Sequence, residues 1–178
     1  ALRRPEQIGR LVLFNTAAFP PPNGKKLPWR LRIIRNTRNL AQPAVLGANL
    51  FVRAALLMAS RRRLPREVRA GLAAPYNCWH NRLATLMFVR DIPIERADPS
   101  YELIHFLDEN LHRLSGLPML ICWGEHDFVF DTDYLHEWRR RFPEAEVHTL
   151  SDAGHYLLED APDRILTLVN RFLQSHPL

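Results

Sequence analysis

Two short stretches near the end of the chain place side chains suited to proton chemistry. Residues 119–123 (Met-Leu-Ile-Cys-Trp) form a continuous apolar run bounded by Pro118 and Gly124, with Asp127 just past the turn. Glu146–Leu150 reads as a second short strand, with His155 in the Gly-containing loop that follows. A carboxylate and an imidazole on neighbouring strand-end loops are the orienting and proton-transferring members of a nucleophilic triad. Histidine suits the role because its ordinary pKa lies near neutrality. A surface or capping histidine is the plain alternative for His155, and a turn-forming aspartate the plain alternative for Asp127. Glu125, Asp131 and Asp133 compete for the acid position, although Asp131 and Asp133 look like a helix N-terminus with Asp131 as its N-cap.

These residues need an α/β frame to bring them together. Leu and Val at helical spacing after His155 (Ile165, Leu166, Leu168, Val169, Phe172, Leu173) close the chain as an amphipathic helix. Residues 11–15 are a third buried-strand candidate, after a helix end and turn over residues 3–9. Pro20-Pro-Pro-Asn-Gly24 is the strongest breaker and marks a boundary. Between residues 28 and 110 only helical periodicity is found: helices are expected over 29–40, 43–60, 65–72 and 79–89, with 101–114 resuming the pattern. The expected organisation is a core segment over 1–19, a helical cap and return to the core over 20–115, and a C-terminal core over 116–178. Parallel strands alternating with helices put strand-end loops along one sheet edge, where α/β folds place their sites.

Composition narrows the function classes. With 178 residues, nearly half of them apolar, the chain can build a sizeable core. The formal charge is +5, carried almost wholly by arginine, since Lys25 and Lys26 are the only lysines. Arg61-Arg62-Arg63 and Arg139-Arg140-Arg141 read as solvated helix faces rather than a nucleic-acid reader, because no stacking aromatics interleave them. Cys78 and Cys122 make neither a disulfide framework nor a metal spacing, and a reducing cytoplasm fits best. His126 and His155 lack the paired cysteines or helical H-E-x-x-H of a zinc site, so no metal and no cofactor is expected. Residues 44–59 are interrupted by Asn49 and Arg53, and no run is long enough for a membrane span. The start, Ala1-Leu-Arg-Arg-Pro5, has neither an initiator methionine nor a signal-peptide core, so a piece of a longer chain is expected.

Together these residues resemble the α/β-hydrolase fold, in its haloalkane-dehalogenase and epoxide-hydrolase branch. Trp123-Gly-Glu-His-Asp127 resembles the element carrying the triad acid, and Asp152-Ala-Gly-His-Tyr-Leu-Leu-Glu-Asp-Ala-Pro162 the element carrying the catalytic histidine. Residues 2–15 are similar to the segment after the nucleophile helix, and residues 74–94 to the dehalogenase cap motif, with Phe88-Val89 where those enzymes have Trp-Pro. The wording of that motif, with Cys122-Trp123 and Arg139-Arg-Arg-Phe-Pro143, is most similar to the β-lactone decarboxylases of bacterial long-chain olefin biosynthesis. The resemblance implies a partial fold whose N-terminal half of the sheet, nucleophile and oxyanion- or halide-binding residues lie before Ala1. It also implies His155 and Asp127 as catalytic residues and a carboxylate nucleophile that is not in this chain.

The implied reaction is conversion of a cis-β-lactone to a long-chain cis-alkene, with haloalkane dehalogenase, epoxide hydrolase or carboxylesterase chemistry as alternatives on the same fold. Implied partners are an apolar small molecule, the missing half of the fold, and other enzymes of olefin formation. Trp79, Phe88, Met87, Phe51, Leu56 and Met58 are candidates for an apolar pocket under the cap, and each could equally pack the cap onto itself. A non-enzymatic alternative is a basic binding fragment, inert because a triad without its nucleophile does nothing.

Overall fold

The computed structural model describes residues 1–178, Arg38 by its backbone alone. Three strands form one parallel sheet in the order β1-β2-β3: β1 (Leu11–Phe14), β2 (Met119–Gly124) and β3 (Glu146–Leu150). Leu11 pairs with Met119 and Leu120 with Glu146, which aligns the C-terminal ends of all three strands along one edge. β2 is buried over its whole length, and its continuous apolar run follows from having a covered face on each side.

The alternation of β2 side chains splits the core in two. Met119, Ile121 and Trp123 point to one face and pack with Phe19, Leu111, Leu114 and the inner side of α7 (Thr132–Arg141), namely Tyr134, Leu135 and Trp138. Leu120 and Cys122 point to the other, against Leu157 of α8 (Leu157–Asp160) and Ile165 and Phe172 of α9 (Pro162–Ser175). The periodic residues at the end of the chain therefore pack as one helix on the sheet, except Leu166, which is exposed. Full burial of such aliphatic side chains is worth about 1.5–3 kcal/mol each, so β2 is the mechanical reference for everything attached to its end.

Between β1 and β2 lies a helical insertion: α1 (Trp29–Asn36), α2 (Arg38–Gln42), α3 (Leu50–Met58), α4 (Arg66–Ala73), α5 (Leu83–Arg90) and α6 (Tyr101–Asn110). It has a small core of its own, Ala41, Val45, Leu46 and Leu86, on which Ile34 and Phe51 pack. Here the sequence expectation needs correction in four places. The helix expected over 29–40 breaks at Thr37, whose hydroxyl donates back to the Ile33 carbonyl at 2.6 Å. The helix expected over 43–60 is a π-turn over Pro43–Gly47 and then α3, separated by Asn49 in the left-handed region (φ 53°). The helix expected over 79–89 opens as a 3-10 turn (His80–Arg82) and becomes regular only at Leu83. Arg61, Arg62 and Arg63 lie in the loop after α3, not on a helix face.

No single helix among the described residues is long and apolar enough to cross a membrane; Asn39–Gly47 and Leu50–Met58 reach that composition only as a pair bent by 71°. Cys78 is exposed and Cys122 buried, both as free thiols.

Arg139-Arg140-Arg141 is only in part a solvated face. Arg140 and Arg141 both bind Glu137, and Arg141 also pairs with Asp108 at 2.6 Å, tying α7 to α6. The hydrogen bonds from Arg140 and Arg141 hold the Glu137 carboxyl down at about 2, with burial opposing them, against an ordinary 4.5. A carboxyl depressed by folding stabilises the native state above its unfolded value and loses that contribution as pH falls through the folded one. Unfolding free energy measured between pH 4.5 and about 2 should therefore fall with acidification, and Glu137→Gln should lower stability near neutrality and flatten that acid slope. An unchanged acid slope in the variant would refute this role.

Candidate active site

The edge formed by the strand ends carries the candidate site. Asn15 follows β1 and reaches sideways: its Nδ2 donates to the Gly124 carbonyl at 3.0 Å, and its Oδ1 accepts from the Gly124 amide at 2.8 Å. A buried side-chain amide thus fixes both backbone groups of the last β2 residue. Beyond Gly124 the two loops run together, with the Glu125 amide donating to the Leu150 carbonyl (3.1 Å) and the His126 amide to the Ala153 carbonyl (3.0 Å). A Cβ on Gly124 would sit 2.5 Å from the Gly154 carbonyl oxygen and 2.8 Å from that of Ala153. Only glycine permits this backbone approach.

Asp127 follows and is almost fully buried, at 3% exposure. Its Oδ1 accepts from the amides of Val129 (2.7 Å) and Phe130 (3.1 Å), which makes it a local turn former as well. Its Oδ2 accepts from His155 Nδ1 at 2.8 Å. One oxygen of the carboxylate therefore forms the turn, and the other binds the imidazole. With Nδ1 donating, Nε2 carries the lone pair of the neutral imidazole, and it has no hydrogen-bond partner among the described residues. The His155 side chain is about one-third exposed (32%), while the Asp127 side chain is fully covered. The aromatic rings of Phe130 and Tyr156 lie about 6 Å from the imidazole, at 6.0 and 6.1 Å between centroids. This is a buried anion orienting a base whose second nitrogen is left without a hydrogen bond among the described residues, an arrangement that can accept a proton and, once protonated, stabilise an adjacent negative charge.

The rivals for the acid role are engaged elsewhere. Asp131 caps α7 by accepting from the Asp133 amide, and Lys25 from the proline-rich turn pairs with both Asp131 and Asp133. Glu125 and His126 are exposed. Among the described residues, no three His, Cys, Asp or Glu side chains are grouped to hold a metal ion.

The model of the α/β-hydrolase fold family matches residues 1–162. The chain belongs to that family. This α/β-hydrolase chain is 43% identical over 174 residues to a protein of Shewanella oneidensis named cis-3-alkyl-4-alkyloxetan-2-one decarboxylase, covering 97% of the chain and 54% of that relative. It is 38% identical over all 178 residues to a protein of the same name from Xanthomonas campestris pv. campestris, covering 59% of it. It therefore spans somewhat more than half the length of these curated relatives. Among solved structures, the haloalkane dehalogenase DbeA of Bradyrhizobium elkani superposes with a TM-score of 0.84 at 24% identity, over 98% of this chain and 62% of that one. The haloalkane dehalogenase DatA of Agrobacterium tumefaciens does so with 0.80 at 18% identity, over 99% and 62%. These likenesses show the fold.

The apolar candidates are distributed over the insertion of the α/β-hydrolase chain. Phe51 packs on the insertion core, and Leu56 is half-buried on the same helix. Trp79 lies beside Gly47, where a Cβ would be 3.6 Å from its ring, yet remains largely exposed. Met58, Met87 and Phe88 are exposed, Phe88 to 75%. Among the described residues, the rings that stand near His155 are instead Phe130 and Tyr156. Residues missed in the sequence are Asn15 and Gly124, which position the acid loop. A polar residue ending the apolar run Leu-Val-Leu-Phe was the available signal for Asn15.

The seam between the loops is testable. Gly124→Ala should destabilise the fold by about 1–3 kcal/mol in chemical denaturation, because the atoms in the way are backbone. It should also shift or broaden the His155 Nδ1 proton resonance, as the histidine loop moves from Asp127. A variant with native stability and an unmoved resonance would show that the seam does not set the pair.

Proposed function

We propose that this chain is the His- and acid-bearing part of an α/β-hydrolase-fold enzyme that converts a cis-3,4-dialkyl β-lactone into a cis-alkene and carbon dioxide. The observation that carries the catalytic reading is the buried Asp127 carboxylate on Nδ1 of a part-exposed His155. The substrate class is taken from the names of the Shewanella and Xanthomonas relatives. In this reading the helical insertion is a cap, and the exposed apolar side chains of Trp79, Met87, Phe88 and Met58, with Phe51 behind them, offer the lining that two alkyl chains require.

The nucleophile is a carboxylate contributed by sequence outside these residues, consistent with the greater length of the relatives. The free edge of β1, four apolar and half-buried residues, is a suitable place for further strands of the same sheet to pair. Attack at the alkyl-bearing ring carbon bonded to the ring oxygen, not at the carbonyl carbon, breaks that C–O bond, forms an enzyme ester and frees the lactone's own carboxylate. Loss of carbon dioxide then supplies the electron pair of the new C=C bond and expels the enzyme carboxylate, restoring it. Ring strain provides much of the driving force, so the protein's task is to position and polarise. His155, held by Asp127 and protonated at Nε2, donates to the carboxylate as it forms and stabilises it. In the alternative outcome, hydrolysis, it would activate water from Nε2.

The test is product analysis on the intact enzyme with a cis-dialkyl β-lactone. Release of cis-alkene and carbon dioxide is expected, and His155→Gln or Asp127→Asn should each lower kcat by roughly 10³- to 10⁴-fold. A β-hydroxy acid as product would make the enzyme a lactone hydrolase. Halide release from haloalkanes without lactone turnover would make it a dehalogenase.

A further inference from the structure

Five residues after His155 stands a carboxylate that the chemistry above does not use. Asp160 has no exposed surface, and every partner it has is a donor. Its Oδ1 accepts from the Ser60 hydroxyl (2.5 Å), the Arg61 amide (2.9 Å) and the Arg62 amide (3.1 Å). Its Oδ2 accepts from the Gly154 amide (2.8 Å) and the Arg61 amide (3.0 Å). Burial alone pushes such a carboxyl up, but the Ser60 hydroxyl and the amides of Arg61, Gly154 and Arg62 together hold it below its ordinary value. It is a charged group kept ionised inside the protein by convergent donors.

The donors belong to two different parts of the chain. Ser60, Arg61 and Arg62 form the exit of α3 in the helical insertion, whereas Gly154 is the residue before His155. The residue after His155 is tied to the same place, since the Tyr156 amide donates to the Ala59 carbonyl at 2.8 Å. Gly154 itself lies so close that a Cβ would be 3.0 Å from the Ala59 oxygen. The backbone on both sides of His155 is therefore tied to residues 59–62, across about 100 residues of sequence: Tyr156 directly through Ala59, and Gly154 through the Asp160 carboxylate.

We propose that Asp160 is a positioning residue for His155: it clasps the histidine loop to the exit of the helical insertion and so sets where Nε2 points. The proposal rests on His155 as the proton-handling group. Asp160→Asn preserves shape but puts an NH2 group against amide donors whichever way the amide is turned. Ser60→Ala removes only the hydroxyl from the insertion side and leaves the bond to Gly154, so it serves if the first variant does not fold.

Both are to be made in the intact enzyme, with kinetics normalised to the folded fraction and the His155 ring followed by ¹H–¹⁵N NMR without substrate. For Asp160→Asn, a shifted His155 titration and a fall in kcat of about 10- to 100-fold are expected, with KM changed by less than about threefold. For Ser60→Ala, a shift in the same direction and a fall of about two- to fivefold are expected. A lower Tm with the His155 titration and kcat unmoved would make Asp160 a purely structural residue and overturn the proposal. The NMR arm needs no substrate, so an enzyme inert toward β-lactones would defeat the functional reading while leaving the Asp160 proposal to stand or fall by itself.

Discussion

The geometry of the Asp127–His155 pair depends on a place where two backbones nearly touch. Gly124, at the end of the central strand, lies against the carbonyls of Ala153 and Gly154, at a separation that excludes even a methyl group. Parallel strands in a twisted sheet ordinarily let their end loops diverge. Here the loops are drawn together by the amides of Glu125 and His126 bonding to Leu150 and Ala153. Asp127 and His155 meet because their loops have already met. The 2.8 Å bond between them is the outcome of that approach rather than its cause.

Burying a carboxylate is costly unless its lone pairs are filled, and the site shows one economical answer used twice. Asp127 takes two amides from its own loop and the imidazole from the neighbouring one. Asp160 takes amides from its own loop and from the insertion, plus a hydroxyl. In each case the backbone donors come at no side-chain entropy, and the charge acts as a rivet between segments distant in sequence. Asn15 does the equivalent with a neutral amide at Gly124.

How much of this could be read from the residues follows from which forces are local. The strands were legible because β2 is covered on both faces, so its burial shows as an unbroken apolar run; Glu146–Leu150 emerges with the expected ends. Asp131 as an N-cap was legible because capping is settled within four residues. The break at Asn49 was not, since Ala-Asn between apolar stretches carries no strong stop signal and the bend comes from packing on the insertion core. The Asp127–His155 pair could be anticipated by spacing and resemblance. Asp160 could not: beside Glu159 it looks like ordinary surface acid, and its burial is created by a segment about 100 residues earlier. The exposed aromatics of the insertion were visible by type, but composition alone does not say which side they turn toward.

The insertion keeps its own small core, Ala41, Val45, Leu46 and Leu86, separate from the two cores that grip β2. Substitutions distant from one another and without shared partners act nearly independently. The insertion can thus accumulate changes without loosening the sheet that carries Asp127 and His155. The hydrogen bonds at residues 59–62 join the two parts, so a change in the insertion there would reach the loop of His155. Packing divided in this way lets the insertion vary while the Asp127–His155 contact is kept.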